Sequence, residues 1–249
     1  MKIAVAGGTG LTGRNVVQVL RTTGHEPVVL ARSQGVDLLS GAGLDSALAG
    51  VDAVIDVSNV TTNKRDVAVG FFDQAGRNLV SASHRAGVRH LLTLSIVGID
   101  RVRLPYYAGK LRQEEVVRTG DVPWTILRAT QFHEFAGQML DRLPGPLALV
   151  PGMKTQPIAV REVAEALAGL ITQPPQATAP DLAGPRIESL PSMARRLIAA
   201  GGSRHRPVIP LPIPGPTGSG GLIPTTEGPR GHQTFDGWLA ANPFKAQRS

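Results

Sequence analysis

The sequence contains no cysteine among its 249 residues. This absence excludes a disulfide framework, thiolate catalysis and cysteine-based zinc sites. No stretch reaches the ~18 consecutive apolar residues that a membrane-spanning helix needs. The chain also shows no basic segment followed by an apolar one, the pattern of a secretion signal. From these absences we expect a cytoplasmic protein without a membrane partner.

Aromatic side chains are scarce, at 4% of residues. Proteins that bind single-stranded nucleic acids rely on stacking against aromatic rings, so the scarcity speaks against such a partner. The formal net charge is +7, from 26 basic and 19 acidic residues, and the basic residues are scattered. We therefore expect no nucleic-acid partner, and a mildly basic surface that attracts small anionic ligands.

The first two thirds of the chain alternate short β-branched runs with segments of helical periodicity. This alternation is typical of parallel strands joined by crossover helices. It predicts an α/β protein with a Rossmann-type, doubly wound parallel sheet. The predicted strands cover 2–6, 27–31, 52–57, 88–95 and 124–129, and the predicted helices cover 11–23, 64–86, 106–119 and 160–171.

Proline is distributed unevenly, because 13 of the 20 prolines lie from Pro174 onward. Proline lacks the amide donor that helix interiors and central strands need, so this density ends the βα repeat. The sequence therefore predicts a first domain over 1–172 and a small, Pro/Gly-rich, loop-rich lobe over 173–249. We expect this C-terminal lobe to pack on the first domain instead of folding alone. Within it, 233–243 has the pattern of a terminal amphipathic helix.

Three glycines recur at every third position after the first predicted strand, in the stretch AVAGGTGLTG. Gly7 permits a tight turn, Gly10 lets the backbone approach a phosphate, and Gly13 lets the next helix pack closely. The start of that helix offers unpaired N–H groups and the positive end of a dipole. A plain tight turn needs one glycine instead of three in register, so we predict a dinucleotide site here. The predicted contacts are Gly7, Thr9, Gly10, Leu11, Thr12 and Gly13.

The second predicted strand leads into Arg32 and Ser33, where NAD-binding proteins place an acidic residue for the ribose 2′-hydroxyl. A permanently charged guanidinium suits a 2′-phosphate instead, so the sequence favours NADP(H) over NAD(H). Asp37 either accepts from the adenine amino group or is a solvated loop carboxylate. Asn59, after the third strand, either meets the nicotinamide-side ribose or forms a turn. Gln131, after the fifth strand, is a candidate contact to the nicotinamide amide.

The stretch LSIVGIDRVRLPYYAGKLRQEE combines three residues that suit proton transfer. Tyr106 and Lys110 are four apart and share one helical face. Ser95 ends the preceding strand, at the edge where α/β sheets bind ligands. With the glycine loop, these residues resemble the short-chain dehydrogenase/reductase superfamily. GGTGLTG, LSIVGID, YYAGKLRQEE and WTILRATQFHEF resemble its atypical, NmrA-like branch of NAD(P)H-binding oxidoreductases, over nearly the whole chain.

This resemblance implies an NADP(H)-dependent oxidoreductase, which moves a hydride between the nicotinamide and a carbonyl, alcohol or activated double bond of a small substrate. It implies that Tyr106 is the acid/base, that Ser95 holds the reacting oxygen, and that Lys110 holds the nicotinamide ribose and lowers the pKa of the tyrosine. Tyr107 is the alternative ring to face the cofactor. Ser95 and Tyr106 are 11 residues apart, slightly fewer than usual in the superfamily. Related reductases of this branch rely on the lysine alone.

Two other functions follow from the same resemblance. NmrA-like proteins include regulators that bind NAD(P) without turnover and report redox state to a protein partner, but these typically lack the tyrosine–lysine pair. A sugar-nucleotide epimerase has the same fold, although the chain is short for its substrate lobe.

No set of histidines has metal-ligand spacing, so we expect no metal site. We expect a monomer or a homodimer.

Overall fold

The computed structural model of the chain describes residues 1–244 and divides it into two compact units. The first unit comprises Met1–Arg128 and Val160–Pro180, and the second comprises Ala129–Ala159 and the chain from Asp181 onward. The elements in chain order are β1 (Lys2–Ala6), α1 (Leu11–Thr22), β2 (Glu26–Leu30), a 3₁₀ helix (Arg32–Gln34), α2 (Leu44–Leu48), β3 (Ala53–Asp56), α3 (Arg65–Arg85), β4 (Leu91–Ile96), α4 (Pro105–Arg118), β5 (Trp124–Ala129), α5 (Phe135–Asp141), β6 (Ala148–Pro151), β7 (Lys154–Thr155), α6 (Val160–Ile171), β8 (Ala177–Thr178), β9 (Glu188–Ser189), α7 (Leu190–Ala199), β10 (Val208–Leu211), α8 (Pro216–Ser219) and α9 (Phe235–Ala241).

The first unit is built on a six-stranded parallel sheet in the order β2-β1-β3-β4-β5-β8. Ala6 pairs with Leu30 of β2 and with Asp56 of β3, so these three strands end level with one another. The segments that follow β1, β2 and β3 therefore leave the sheet at one edge. This architecture confirms the predicted Rossmann-type fold.

Helices α3 and α4 pack closely together in the first unit. A Cβ atom added at Gly109 would lie 2.7 Å from the Phe72 ring and 2.8 Å from the Ala68 carbonyl oxygen, so glycine is needed at this crossing. Pro105 occupies the first turn of α4, where its missing N–H costs no helical hydrogen bond. The close crossing at Gly109 holds α4 against α3.

The predicted strands and helices of the first unit are present, with ends shifted by up to three residues. The largest shift is at β4, which begins at Leu91 instead of residue 88. Gly87 turns the chain with a φ of +69°, and Val88 still bonds back to the Ser83 carbonyl at the end of α3. Ladder pairing with β3 starts only at Leu91.

The division between the units differs from the predicted boundary after residue 172. The chain leaves the first unit after β5 and returns to it with α6, which packs on α1. Residues 173–180 stay with the first unit because β8 extends the sheet beside β5. Residues 129–159 belong to the second unit because β6 pairs with β10.

The second unit contains more regular structure than its proline content suggests. Strands β6 and β10 pair in parallel, and β7 pairs with β9 in an antiparallel manner. Helix α7, which the sequence analysis did not predict, tolerates Pro191 because the proline lies in its first turn. The predicted terminal helix is present as α9, where the Thr234 hydroxyl accepts from the Gly237 N–H at 3.1 Å.

Within residues 1–244, no helix combines the length and apolar composition that crossing a bilayer requires.

A buried ion pair fastens α4 to β5 in the first unit. The Glu114 side chain has no exposed surface, and its carboxylate accepts from Arg128 at 2.8 and 2.9 Å and from Arg118 at 2.9 Å. Burial raises the pKa of the Glu114 carboxyl, but the hydrogen bonds from Arg128 and the charges of Arg128 and Arg118 outweigh it, so the pKa lies below the ordinary 4.5. The pair therefore stabilises the unit when Glu114 is ionised.

We expect Glu114→Gln to lower the free energy of unfolding at neutral pH by about 3–5 kcal/mol, because it removes the fully buried counter-charge of Arg128 and leaves only the more distant, exposed Asp100 at 3.5 Å. The folded pKa is depressed, so this stabilisation is present above pH 4.5 and is lost as pH falls through the folded pKa. Urea unfolding followed by circular dichroism at several pH values measures the difference.

The matched control is Glu115→Gln, which removes the same charge from the neighbouring position. The Glu115 side chain is 60% exposed and pairs with Arg112, so its loss should cost under about 1 kcal/mol. Equal destabilisation by the two variants would show that burial of the Glu114 pair contributes nothing.

Candidate functional site

The three glycines after β1 serve different steric needs. Gly7 has a φ of +77°, and a Cβ there would lie 2.9 Å from the Val57 carbonyl oxygen and the Ser58 Cα. A Cβ at Gly13 would lie 2.1 Å from the Gly7 carbonyl oxygen. A Cβ at Gly10 would approach only that same oxygen, at 3.3 Å. Gly7 and Gly13 are thus required by the protein's own packing, whereas Gly10 borders open space.

Helix α1 begins at this turn without a side-chain cap. Gly10 is the N-cap residue, and the first turn of the helix contains no acidic residue. Thr9 is exposed and Thr12 is 8% exposed. The N–H groups and the positive dipole end at the helix start are therefore available to an anion such as a phosphate.

Arg14 is a residue of this turn that the sequence reasoning missed. Its guanidinium donates from Nη1 to the Thr9 carbonyl oxygen at 2.6 Å, which ties the first turn of α1 back to the glycine loop. Arg14, Thr9 and Gln34 also line a groove of about 1040 Å³ along α1 and β2. An arginine directly after the third glycine was the available signal.

The carboxyl end of β2 carries the second group of predicted cofactor residues. Arg32 and Ser33 are exposed in the 3₁₀ helix, and the Arg32 guanidinium makes no hydrogen bond or ion pair with any other residue in 1–244. Asp37 lies further along, where its Oδ1 accepts from the Leu39 N–H at 2.8 Å. That bond closes a local turn, which favours the loop interpretation of Asp37.

Tyr106 and Asn59 meet at the same edge. The Tyr106 hydroxyl donates to Asn59 Oδ1 at 2.6 Å, on the exposed surface. The Tyr106 ring packs edge-on against Phe72 of α3, with ring centroids 5.9 Å apart. Tyr107 is only 8% exposed. Of the two adjacent phenols, Tyr106 therefore has the more accessible ring.

Lys110 lies on the same helix but is 5% exposed. Its ammonium donates to the Leu94 carbonyl oxygen at 2.7 Å and to Gln113 Oε1, and it lies 4.9 Å from the centre of the Phe72 ring. Burial lowers the pKa of Lys110 to about 8, against the opposing charges of Asp56 and Glu114. Within residues 1–244 these two acceptors are its hydrogen-bond partners, so the third N–H of the ammonium makes no hydrogen bond there.

Gln113 and Asp56 form a buried connection that the sequence reasoning also missed. Gln113 Nε2 donates to Asp56 Oδ2 at 2.6 Å, and Asp56 Oδ1 accepts from the Ser58 N–H at 2.9 Å. Gln113 is 1% exposed and Asp56 is 2% exposed. The available signal was an acidic residue that ends an otherwise apolar strand.

The structure does not bring the Ser95 hydroxyl to the surface beside Tyr106. Ser95 is 2% exposed, and its Oγ is buried without a hydrogen-bond partner among residues 1–244. Strand β4 carries Ser95 two residues past Thr93, the partner of Asp56, and turns its side chain inward. The role predicted for Ser95, to hold the reacting oxygen, stays a prediction.

Gln131 lies in the second unit, two residues after the end of β5. Its Oε1 accepts from the Thr155 hydroxyl at 2.6 Å, and its backbone carbonyl accepts from the Ile158 N–H at 2.9 Å. Gln131 Nε2 is buried and has no hydrogen-bond partner among residues 1–244. The side chain is thus fixed through its oxygen, with its donor unused.

The edge of the first unit therefore unites an uncapped helix start, an exposed guanidinium, an accessible phenol and a buried ammonium. The helix start and the guanidinium suit phosphate groups. The phenol and the ammonium suit proton transfer to a polar substrate atom. The residues present fit a nicotinamide dinucleotide, since a Cβ at Gly10 would meet only the Gly7 carbonyl oxygen and the backbone is otherwise open to a diphosphate at the uncapped helix start.

Comparison with known proteins supports this interpretation of the edge. A family model described as NAD(P)H-binding matches residues 7–174. The (4-alkanoyl-5-oxo-2,5-dihydrofuran-3-yl)methyl phosphate reductase of Streptomyces griseus is 33% identical over 52% of this chain and 48% of its own. The photosystem II assembly factor Ycf39 of Trieres chinensis is 26% identical over 58% of this chain and 51% of its own. The chain thus spans about half the length of the curated relatives it matches.

Solved structures show the same fold. A short-chain dehydrogenase/reductase superfamily protein from Agrobacterium tumefaciens, with bound NAD, superposes with a TM-score of 0.72 at 20% identity over 97% of this chain and 95% of its own. At this identity the likeness concerns the fold. The family match includes the glycine turn and the open start of α1, where we place the dinucleotide. The chain belongs to the NAD(P)H-binding family and fits the atypical, NmrA-like branch of the short-chain dehydrogenase/reductase superfamily.

Proposed function

We propose that the chain is an NADP(H)-dependent oxidoreductase, which reduces a carbonyl or activated double bond of a small organic molecule or oxidises the corresponding alcohol. The observation that carries this proposal is the presence of Tyr106 and Lys110 on one helix at the edge where α1 begins uncapped. The Streptomyces relative that is named as a reductase supports the reaction class.

The preference for NADP(H) rests on the charge at the end of β2. Arg32 is exposed there, and within residues 1–244 its guanidinium has no partner to neutralise it. A ribose 2′-phosphate would accept two parallel hydrogen bonds from such a fork. The one carboxylate that follows closely, Asp37, is engaged with the Leu39 N–H. An exposed cationic side chain without a competing carboxylate favours NADP(H), the coenzyme with the additional phosphate.

The proposed chemistry divides between coenzyme and protein. The bound coenzyme supplies or accepts the hydride. In the direction of reduction, the Tyr106 hydroxyl gives its proton to the substrate oxygen, and Asn59 Oδ1, which accepts from that hydroxyl, orients it. Lys110 lies about one helical turn from Tyr106 on α4. It keeps its positive charge at neutral pH, because its pKa of about 8 lies above 7. That charge favours the phenolate and so eases release and return of the proton.

A second candidate function is a regulator that binds NAD(P) and acts through a protein partner without turnover. The likeness to an assembly factor over about half of that protein favours it. The two functions separate in one experiment, in which purified protein is incubated with NADPH and a panel of carbonyl compounds and quinones. Consumption of NADPH supports the oxidoreductase. Tight NADPH binding without consumption by any compound supports the regulator and contradicts our first proposal.

We expect Gly13→Ala to affect mainly stability and Gly10→Ala to affect mainly coenzyme binding. Gly13→Ala should lower the free energy of unfolding by about 1–3 kcal/mol, because its Cβ would overlap the Gly7 carbonyl. Gly10→Ala should cost under about 1 kcal/mol, since its φ of −74° suits alanine. It should nevertheless weaken coenzyme binding, because the new methyl group occupies the approach of the diphosphate. Urea unfolding and calorimetry measure the two effects, and unchanged NADPH affinity in Gly10→Ala would contradict the placement.

Arg32→Gln should weaken NADPH binding by about ten- to a hundredfold and leave NADH binding unchanged, because a charge-assisted hydrogen bond to the 2′-phosphate is lost. Calorimetric titration with both coenzymes measures the ratio. The control is Arg89→Gln, which removes an exposed arginine that pairs with Asp52. Arg89 lies just before β4, at the opposite edge of the sheet. A loss of NADPH affinity in both variants would reveal a general charge effect and overturn the assignment.

Tyr106→Phe should lower kcat by about 10²–10⁴-fold while leaving NADPH affinity close to the wild-type value, because it removes the transferred proton but little binding surface. Tyr107→Phe is the control, since it makes the same chemical change in the adjacent, buried ring. Steady-state rates and calorimetry are the measurements. Loss of kcat in Tyr107→Phe with an unaffected Tyr106→Phe would assign the proton to the other phenol.

A further inference from the structure

A buried chain of hydrogen bonds connects the ammonium of Lys110 to the backbone beside the glycine turn. Lys110 donates to Gln113 Oε1, Gln113 Nε2 donates to Asp56 Oδ2 at 2.6 Å, and Asp56 Oδ1 accepts from the Ser58 N–H at 2.9 Å. The side-chain members are at most 5% exposed. In such a buried setting an unmatched donor or acceptor is costly, so the polarity of each link matters.

We propose that Gln113 and Asp56 are positioning residues for Lys110, which hold its ammonium at the coenzyme edge and supply its buried counter-charge through the Gln113 amide. This inference rests on the proposed function, because it assigns Lys110 a role in the reaction. Neither residue touches substrate or coenzyme in this scheme. Both act through the lysine.

The orientation of the Gln113 amide is determined at both ends. An ammonium only donates, so it requires the Gln113 oxygen, and an ionised carboxylate only accepts, so it requires the Gln113 NH₂ group. The amide dipole therefore points its negative end at Lys110 and its positive end at Asp56. Reversal of the amide would place donor against donor at Lys110 and acceptor against acceptor at Asp56.

The charges that face Lys110 come from two elements. Asp56 on β3 and Glu114 on α4 both favour the ammonium form. Glu114 is already paired with Arg128 of β5 and Arg118 of α4, so most of its charge is neutralised locally. From α3 the contact is the Phe72 ring, which does not titrate, and from β4 it is the Leu94 carbonyl. Asp56 is therefore the carboxylate dedicated to Lys110.

Asp56 also determines the path of the loop that carries Asn59. Its bond to the Ser58 N–H holds the chain directly after β3, where Ser58 lies against Gly7. Asn59, the next residue, accepts from the Tyr106 hydroxyl. The same carboxylate thus positions the lysine, through Gln113, and the partner of the phenol, through the backbone.

The test is an exchange of carboxylate and amide between the two positions. Asp56→Asn alone places an NH₂ group against either the Gln113 NH₂ group or the Ser58 N–H. Gln113→Glu alone places two carboxylates against each other. The double variant Asp56→Asn/Gln113→Glu restores every donor–acceptor pair and the total charge, so its coupling isolates the hydrogen-bond chain from the shape of the side chains.

Lysine side chains labelled with ¹³C report the ionisation of Lys110 by NMR, and the resonance missing in Lys110→Met identifies it. We expect a midpoint of about pH 8 in the wild-type protein. The midpoint should be lower in Asp56→Asn, which removes a charge that favours the ammonium. It should return to the wild-type value or rise above it in the double variant, where the carboxylate lies next to the lysine.

In parallel, kcat should fall by about tenfold or more in Asp56→Asn and recover in the double variant. An unchanged Lys110 midpoint in folded Asp56→Asn, or a double variant with a depressed midpoint, would overturn the inference. If a single variant does not fold, the double variant against the wild type still decides it. The NMR titration needs neither coenzyme nor substrate. Absence of turnover would therefore refute the proposed function, and an unresponsive lysine would refute the inference alone.

Discussion

The buried ammonium of Lys110 constrains the elements around it. Lys110 is 5% exposed, so its ammonium must replace lost water with fixed acceptors, and it does so with the Leu94 carbonyl of β4 and the Gln113 oxygen of its own helix. Gln113 in turn needs Asp56 at the end of β3. Three neighbouring parts of the first unit are thus held in register by the hydrogen-bonding needs of one side chain.

Close backbone contact complements this polar network. The glycine turn lies against the segment after β3 at Gly7, and α1 starts against the turn at Gly13. At Gly109, α4 lies against α3. The contacts at Gly7 and Gly13 bring the open start of α1 to the sheet edge. The contact at Gly109 brings the phenol and the ammonium of α4 there. Glycine and the buried lysine therefore define the same site by different means.

Much of the site was predictable because its signals are local. The spacing of the glycines, the arginine after β2, and the four-residue interval between Tyr106 and Lys110 all depend on short-range geometry, and the structure places each at the sheet edge. The burial of Ser95 was not predictable in this way. Strand periodicity locates a residue at the end of β4 but does not reveal how deeply its hydroxyl is buried, and Ser95 is only 2% exposed.

The fold class, the first five strands with their long helices, and the glycine turn follow from the sequence, because backbone sterics and side-chain periodicity act over a few residues. The boundary of the two units follows only from tertiary pairing, since β8 and β6 find partners far away in the chain. It also decided the connection from Lys110 to Asp56, whose residues are 54 apart in sequence. Only folding reveals which buried polar groups must satisfy one another.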